Sequence, residues 1–237
     1  MKPKTIGLSF AALAAASFAF LLHAETPSPG LSVDITSPAD HSRLPWNAQA
    51  PYAVTVAYRG KSTRFGELPA KDVVLRAAFV PDADAPAARQ AAALPEALVG
   101  ISQSNCMGCH DFTASSAGPS FAAIGKRYAG QAAAVATLAD HIRNGSSGAW
   151  GGGLMPPHPD LAPAQATAIA QWIVSHGNDP AVHYYVGASG SFRMSAPGAP
   201  GPRGGVVLSA FYTGPLDPGD TRAAAGRDTV IVYGAGS

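Results

Sequence analysis

Apolar residues recur with two different periods along this chain, and the order in which the periods follow one another restricts the folds open to it. From Leu31 to about Val80 the pattern is that of strands: Val33-Asp34-Ile35, Tyr52 to Tyr58 and Val73 to Val80, separated by turns bearing proline and glycine. A Pro/Ala/Asp stretch from Pro81 to Ala88 interrupts it. Between about Ala87 and Gly177 the period becomes helical, with Val135, Leu138 and Ile142 on one face and Ile169, Trp172 and Ile173 on another. The last helix has Pro163 near its start, where a missing N–H costs nothing, and Gly177 just past its end. After Pro180 strands return in Ser191 to Met194, Val206 to Tyr212 and Thr229 to Tyr233.

Three strands with an apolar face to hide are marginal alone, and each flank has only about that many. Both flanks are therefore expected to pair into one Ig-like β-sandwich of six or seven strands, with the helical part inserted between the third and fourth. Ahead of them, Lys2 and Lys4 precede an apolar run from Ile6 to Leu22 that ends in the small-residue site Leu22-His23-Ala24. This reads as a secretory signal peptide, so the chain is expected in the periplasm. The run is short and rich in alanine for a membrane span, and none is expected after cleavage; retention as an N-terminal anchor stays open. The expected division is residues 1–24 signal peptide, 25–86 first part of the sandwich, 87–178 helical domain and 179–237 second part. Cleavage removes two lysines and takes the formal charge from +1 to −1, which offers no field for nucleic acid.

The chain has two cysteines, both in Cys106-Met107-Gly108-Cys109-His110. An exported protein can form a disulfide, but a pair separated by two residues closes only a small redox-type loop. The histidine directly after the second cysteine is instead the mark of covalent haem attachment. Two thiols at this spacing reach the two vinyl groups of one haem as thioethers, and the next residue, His110, is delivered to the iron. The alternatives are a lone redox dithiol or a zinc half-site; zinc wants further cysteines or a second histidine at metal spacing, and no other cysteine exists. The candidate for the sixth iron ligand is Met155, in Gly151-Gly152-Gly153-Leu154-Met155-Pro156-Pro157, where glycines, read as loop residues, allow close approach and prolines stiffen the loop that carries the sulfur. Met107 and Met194 read as packing residues. His158 competes with Met155, which would give bis-histidine iron. His41, His176 and His183 read as surface or satisfied core positions, and His23 leaves with the signal.

Further residues carry a resemblance. The Cys106 to His110 motif, Gly118-Pro119-Ser120-Phe121, the run Ile142 to Gly151, Met155-Pro156-Pro157 and Ala170-Gln171-Trp172-Ile173 lie in the order and at the spacing of a class I c-type cytochrome of the c551/c552 type. About 90 residues of the middle domain resemble that family. The resemblance implies one covalently attached haem c, with iron between His110 and Met155. It implies that the Pro119 carbonyl accepts from Nδ1–H of His110 and that Trp150 donates its indole N–H to a haem propionate. His141 stands where the family often has an arginine facing a propionate, and His158 where it typically has an asparagine bonding the methionine sulfur. The fold implied for the whole is multidomain, an all-α class I cytochrome c domain inserted into an Ig-like β-sandwich.

Iron with both axial positions filled by protein has no site for substrate, so the expected activity is single-electron transfer through an exposed ring edge, and the chain is not expected to be an enzyme by itself. Thr113 to Ala117, all small, would leave that edge uncovered. The partner expected is a redox protein, a periplasmic dehydrogenase or oxidase. The sandwich leaves three roles open: a free carrier with an accessory or docking sandwich, a module that binds its partner enzyme, and a haem-based redox or gas sensor with a ligand-binding sandwich. No nucleophile motif or phosphate-cradling loop competes.

Overall fold

The computed structural model describes residues 28–89, 94–215 and 223–235, so the expected signal peptide lies outside the described residues. In chain order the first strands are β1 (Leu31–Ser37), β2 (Ser42–Pro45), β3 (Gln49–Tyr58), β4 (Lys61–Ser62) and β5 (Val73–Val80). The helices α1 (Glu96–Gln103), α2 (Phe121–Tyr128) and α3 (Ala134–Asn144) follow, then a hairpin of β6 (Ser146–Gly148) and β7 (Gly151–Met155), then α4 (Pro163–His176). The chain returns to strands in β8 (Val182–Val186), β9 (Ser189–Arg193), β10 (Gly205–Thr213) and β11 (Ala225–Ala235).

Every second residue of β3, from Ala50 through Tyr52 and Val54 to Val56, is buried, as are Val33 and Ile35 of β1. This period-two pattern puts one face of each strand on a core. β1 pairs antiparallel with β3, with an irregularity between Ile35 and Ser37. β4 and β9 also pair with β3 and complete a four-stranded sheet. The second sheet has five strands in the order β2-β11-β10-β5-β8, antiparallel except for the β2–β11 pair. Both sheets thus join strands from either side of the helical segment: β9 to β3, and β10 to β5 from Gly205↔Val80 to Tyr212↔Val73. Val33, Ile35, Tyr52, Val54, Val56 and Phe192 of the first sheet share a core with Leu75, Val206, Leu208, Ala210, Tyr212 and Val232 of the second.

A second core lies among the helices, where α4 packs against α1, α2 and α3. Leu98, Ile101, Phe112, Phe121, Ile124, Leu138, Ile142, Ile169, Trp172 and Ile173 fill it. Ser120 caps α2 by accepting from the Ala123 N–H at 3.1 Å. Pro163 opens α4, and the Gln165 side chain accepts from the Ala162 N–H at 3.0 Å. Helices and sheets meet where Gln103 Nε2 donates to the Thr213 carbonyl at 2.9 Å. They meet again along β8, where Tyr184 and Val186 pack on the helical core and Tyr185 on the core between the sheets.

Two expectations need correcting. The two sheets contain more strands than the six or seven expected, and the helices follow the fifth strand of the chain rather than the third. β2 and β4 are too short to show a period, and β8 is partly buried on both faces, so neither kind announces itself by alternation. The glycine-rich segment before Met155 is a hairpin strand rather than an irregular loop, paired Ser146↔Met155 and Ser147↔Leu154. Among the described residues no helix is long and apolar enough to cross a membrane.

Candidate haem site

Cys106 to Gly108 form a short 3-10 turn directly after α1. Asn105, at φ 58°, reverses the chain into it, a left-handed conformation that asparagine tolerates better than most residues. The N–H groups of Cys109 and His110 both donate to the Cys106 carbonyl, at 3.2 and 3.0 Å. This compact turn brings both thiols and the imidazole to the lining of one cavity. The cysteines form no disulfide. Burial pushes the Cys106 thiol up to about 11, with neighbouring Cys109 adding to the shift, whereas a redox dithiol depends on a readily formed thiolate. Among the described residues no group of three His, Cys, Asp or Glu side chains could hold a metal ion. The geometry therefore favours neither the dithiol nor the zinc reading.

His110 is held on three sides. Its Nδ1 lies 2.7 Å from the Pro119 carbonyl oxygen, which can only accept, so Nδ1 carries the proton and the Nε2 lone pair is free for a metal. Gly118 stands against the ring: a Cβ there would come within 2.7 Å of Cε1 and 3.0 Å of Nδ1. Phe121, the first residue of α2, stacks on the imidazole with centroids 5.5 Å apart and planes at 18°. The Gly118 N–H and the Ser116 hydroxyl both donate to the Cys109 carbonyl, at 2.7 and 2.6 Å, and close the loop behind the motif.

The cavity measures about 420 Å³, within the range of small-molecule and cofactor pockets. Phe121 and Ile124 of α2, Leu138 and Ile142 of α3, and Ile169 and Ile173 of α4 give it apolar walls. Met155 lines it from the end of β7. Gly145, at φ 80°, lets the backbones close behind that methionine, since a Cβ there would meet the Met155 carbonyl at 2.8 Å and Pro157 N at 3.2 Å. His158 is anchored by its N–H to the Ile142 carbonyl at 2.9 Å, and it too lines the cavity.

Each site residue read from the sequence, namely Cys106, Cys109, His110, Pro119, His141, Trp150 and Met155, lines this one cavity. Met107 packs into the helical core and Met194 is fully buried in the core between the sheets. His41 and His176 are exposed, His183 is half-buried on β8, and none of the three borders the cavity. Thr113 to Ala117 are exposed beside it, and Leu154, also at its edge, is 78% exposed. Sequence reasoning missed Arg127. Its guanidinium carbon sits 4.5 Å from the Trp150 ring centroid and its Nη1 donates to the Ala149 carbonyl at 2.6 Å, which fixes the hairpin turn to α2. In the sequence it is only one basic residue near a helix end.

The cavity fits haem c: apolar walls for the macrocycle, two thiols and a nitrogen with a free lone pair on one short turn, and a thioether on a backbone that glycine lets close in. The family model described as cytochrome C oxidase, cbb3-type, subunit III matches residues 93–173. The chain is 47% identical over 73 residues to cytochrome c-552 of Hydrogenobacter thermophilus, a match covering 31% of this chain and 74% of that protein. It is 42% identical over 71 residues to cytochrome c-551 of Azotobacter vinelandii, covering 30% and 85%. Among solved structures, cytochrome c552 of Nitrosomonas europaea aligns at 37% identity over 32% of this chain and 93% of that one, with a TM-score of 0.31.

Proposed function

Because the chain belongs, through its middle third, to the family of small c-type cytochromes that includes cytochromes c-551 and c-552, we propose that it is a periplasmic monohaem electron carrier with His110 and Met155 as axial ligands. The observation that carries the reading is the shared lining of one apolar cavity by Cys106, Cys109, His110 and Met155, with Nδ1 of His110 engaged by Pro119. Haem c, when bound, supplies a one-electron iron couple whose potential its two axial ligands help to set. Cys106 and Cys109 would hold it through thioethers. Pro119 keeps the His110 ring in one tautomer and one orientation, and its carbonyl raises the basicity of the ligating nitrogen. The isoleucine and leucine walls exclude water and keep reorganisation on electron transfer small. Trp150 and His141 supply polar N–H groups for the propionates.

On this reading residues 1–24 export the chain, and residues 87–178 form a class I cytochrome c domain inserted into an Ig-like sandwich of residues 25–86 and 179–237. The pairing of β5 with β10 and of β3 with β9 supports that arrangement. The chain passes electrons to or from a redox partner protein, a periplasmic dehydrogenase or oxidase, and is not an enzyme by itself. The exposed segment Thr113 to Ala117 and Leu154 offer the contact.

Visible spectroscopy tests the ligation. The oxidised protein is expected to show the weak thioether-to-iron charge-transfer band and Met155→Ala to lose it, while persistence of the band in that variant would overturn Met155 as ligand. Because His158 borders the same cavity, His158→Ala is the companion variant, expected to leave the band in place. The sensor alternative requires an open iron site, so ready carbon monoxide binding by the reduced protein would favour it over the carrier.

A further inference from the structure

The rings around His110 continue past the edge of the helical domain. Phe121 stacks on the imidazole, and Phe112 meets Phe121 edge-on at 5.4 Å and 62°. Tyr184, on β8 of the second sheet, lies 5.7 Å from Phe112 and 5.5 Å from Trp172, which in turn meets Phe112 at 6.1 Å and 88°. A contiguous row of aromatic contacts therefore runs from the imidazole to a strand of the five-stranded sheet. Tyr184 is fixed at that end too, by the antiparallel pairing of β8 with β5, in which its backbone partner is Arg76.

Phe112, Phe121 and Trp172 are all buried, and close-packed rings cannot shift singly without opening a void or a clash. A displacement of Tyr184 toward Phe112 would pass through that ring to Phe121. At His110 the edge of the ring is already fixed by Pro119 and Gly118, so the face on which Phe121 stacks is where such a displacement would act. Tilting the ring there changes both the Nδ1–H bond to Pro119 and the direction of the Nε2 lone pair. Both are levers on a metal that the nitrogen ligates.

We propose that Tyr184 is a positioning residue for His110, through which the β-sheet sets the seat of the haem-ligating imidazole and hence the reduction potential. The proposal rests on the reading in which His110 ligates the iron. It gives the sheets a part in the redox chemistry: anything that moves β8, such as a partner seated on the sandwich, would be felt at the haem.

The test uses the full-length, haem-loaded protein in four variants: Tyr184→Ala, Tyr184→Phe, Phe112→Leu, and Val56→Ala as a control buried in the core between the sheets, away from the row. Each is read by redox titration, by the hyperfine-shifted proton resonances of the haem methyls, and by denaturation. Tyr184→Ala is expected to change the oxidised-to-reduced ratio at a fixed ambient potential by more than about two-fold and to move the haem-methyl resonances. Phe112→Leu, which breaks the row one ring nearer the iron, should shift them in the same direction and keeps the test available if Tyr184→Ala does not fold. Tyr184→Phe, which keeps the ring, should restore wild-type values, and Val56→Ala should lower the denaturation midpoint alone. A haem-loaded Tyr184→Ala or Phe112→Leu within about two-fold of wild type, or a Val56→Ala shift as large as theirs, would overturn the coupling. A wild-type protein whose haem iron is not ligated by histidine would instead sink the ligation reading, so the two failures are distinguishable.

Discussion

Gly118 and Pro119 confine the His110 imidazole from adjacent sides, one by lacking a side chain and the other by presenting a carbonyl. Gly118→Ala would place a methyl 2.7 Å from His110 Cε1 and 3.2 Å from the Cys109 carbonyl, so the ring or the loop must give way. Overpacking of this kind costs about 1–3 kcal/mol. The expected outcome is a lower denaturant midpoint with an altered haem spectrum, measured by urea unfolding followed at the Soret band; an unchanged spectrum would mean that the ring is not seated where the structure has it. Asp40 makes a separate prediction for the sheets. Burial pushes its carboxyl up, but the Ile231 N–H at 2.9 Å, Arg89 at 2.7 Å and His41 together hold it below its ordinary value of 3.8. A carboxylate lowered on folding contributes stability that is present above its unfolded pKa and is lost as pH falls through the folded one. The urea midpoint of the sandwich, followed by circular dichroism, should therefore drop as pH falls below 3.8, and Asp40→Asn should weaken that dependence.

At the scale of elements, α2 starts where the haem motif needs it, because Ser120 caps it immediately after Pro119 and Phe121 opens it against His110. Ser120→Ala removes the acceptor for the Ala123 N–H, and losing such a cap costs about 1 kcal/mol. Thermal unfolding of the holoprotein should show that loss with the haem still attached, since no attachment residue is touched. β8 shows why some elements escape a reading of the sequence. Tyr185 faces the core between the sheets while Tyr184 and Val186 face the helices, so Val182-His183-Tyr184-Tyr185-Val186 has no polar face to alternate with. The hairpin before Met155 escapes for another reason: Gly151, Gly152 and Gly153 read as a loop, and only their pairing with Ser146 to Gly148 makes them a strand.

For the whole molecule, β10 is the strand on which both flanks depend, paired to β5 from before the helices and to β11 from after them. Its residues Val206, Leu208, Ala210 and Tyr212 cover the core opposite Val54 and Val56, so residues 25–85 alone lack the layer that their apolar faces need. That segment expressed by itself should show no cooperative urea transition by circular dichroism, while the full chain should. A folded monomer from it would contradict the shared core.

The haem motif was legible because attachment chemistry is local. Two thiols and an imidazole within five consecutive residues need only the turn they make themselves; Met155 was a candidate from the glycines and prolines around it, while Pro119 and Trp150 came only from the resemblance to c551/c552-type cytochromes. The alternation of strand and helix periods was legible for the same reason, since each period is set by which side of a short segment is buried. Sheet order, the two-faced strand β8, the Arg127 contact on Trp150 and the aromatic row from Tyr184 to His110 were decided only by the tertiary structure. They join residues far apart in the chain, and no local period records which distant surface will cover a given face.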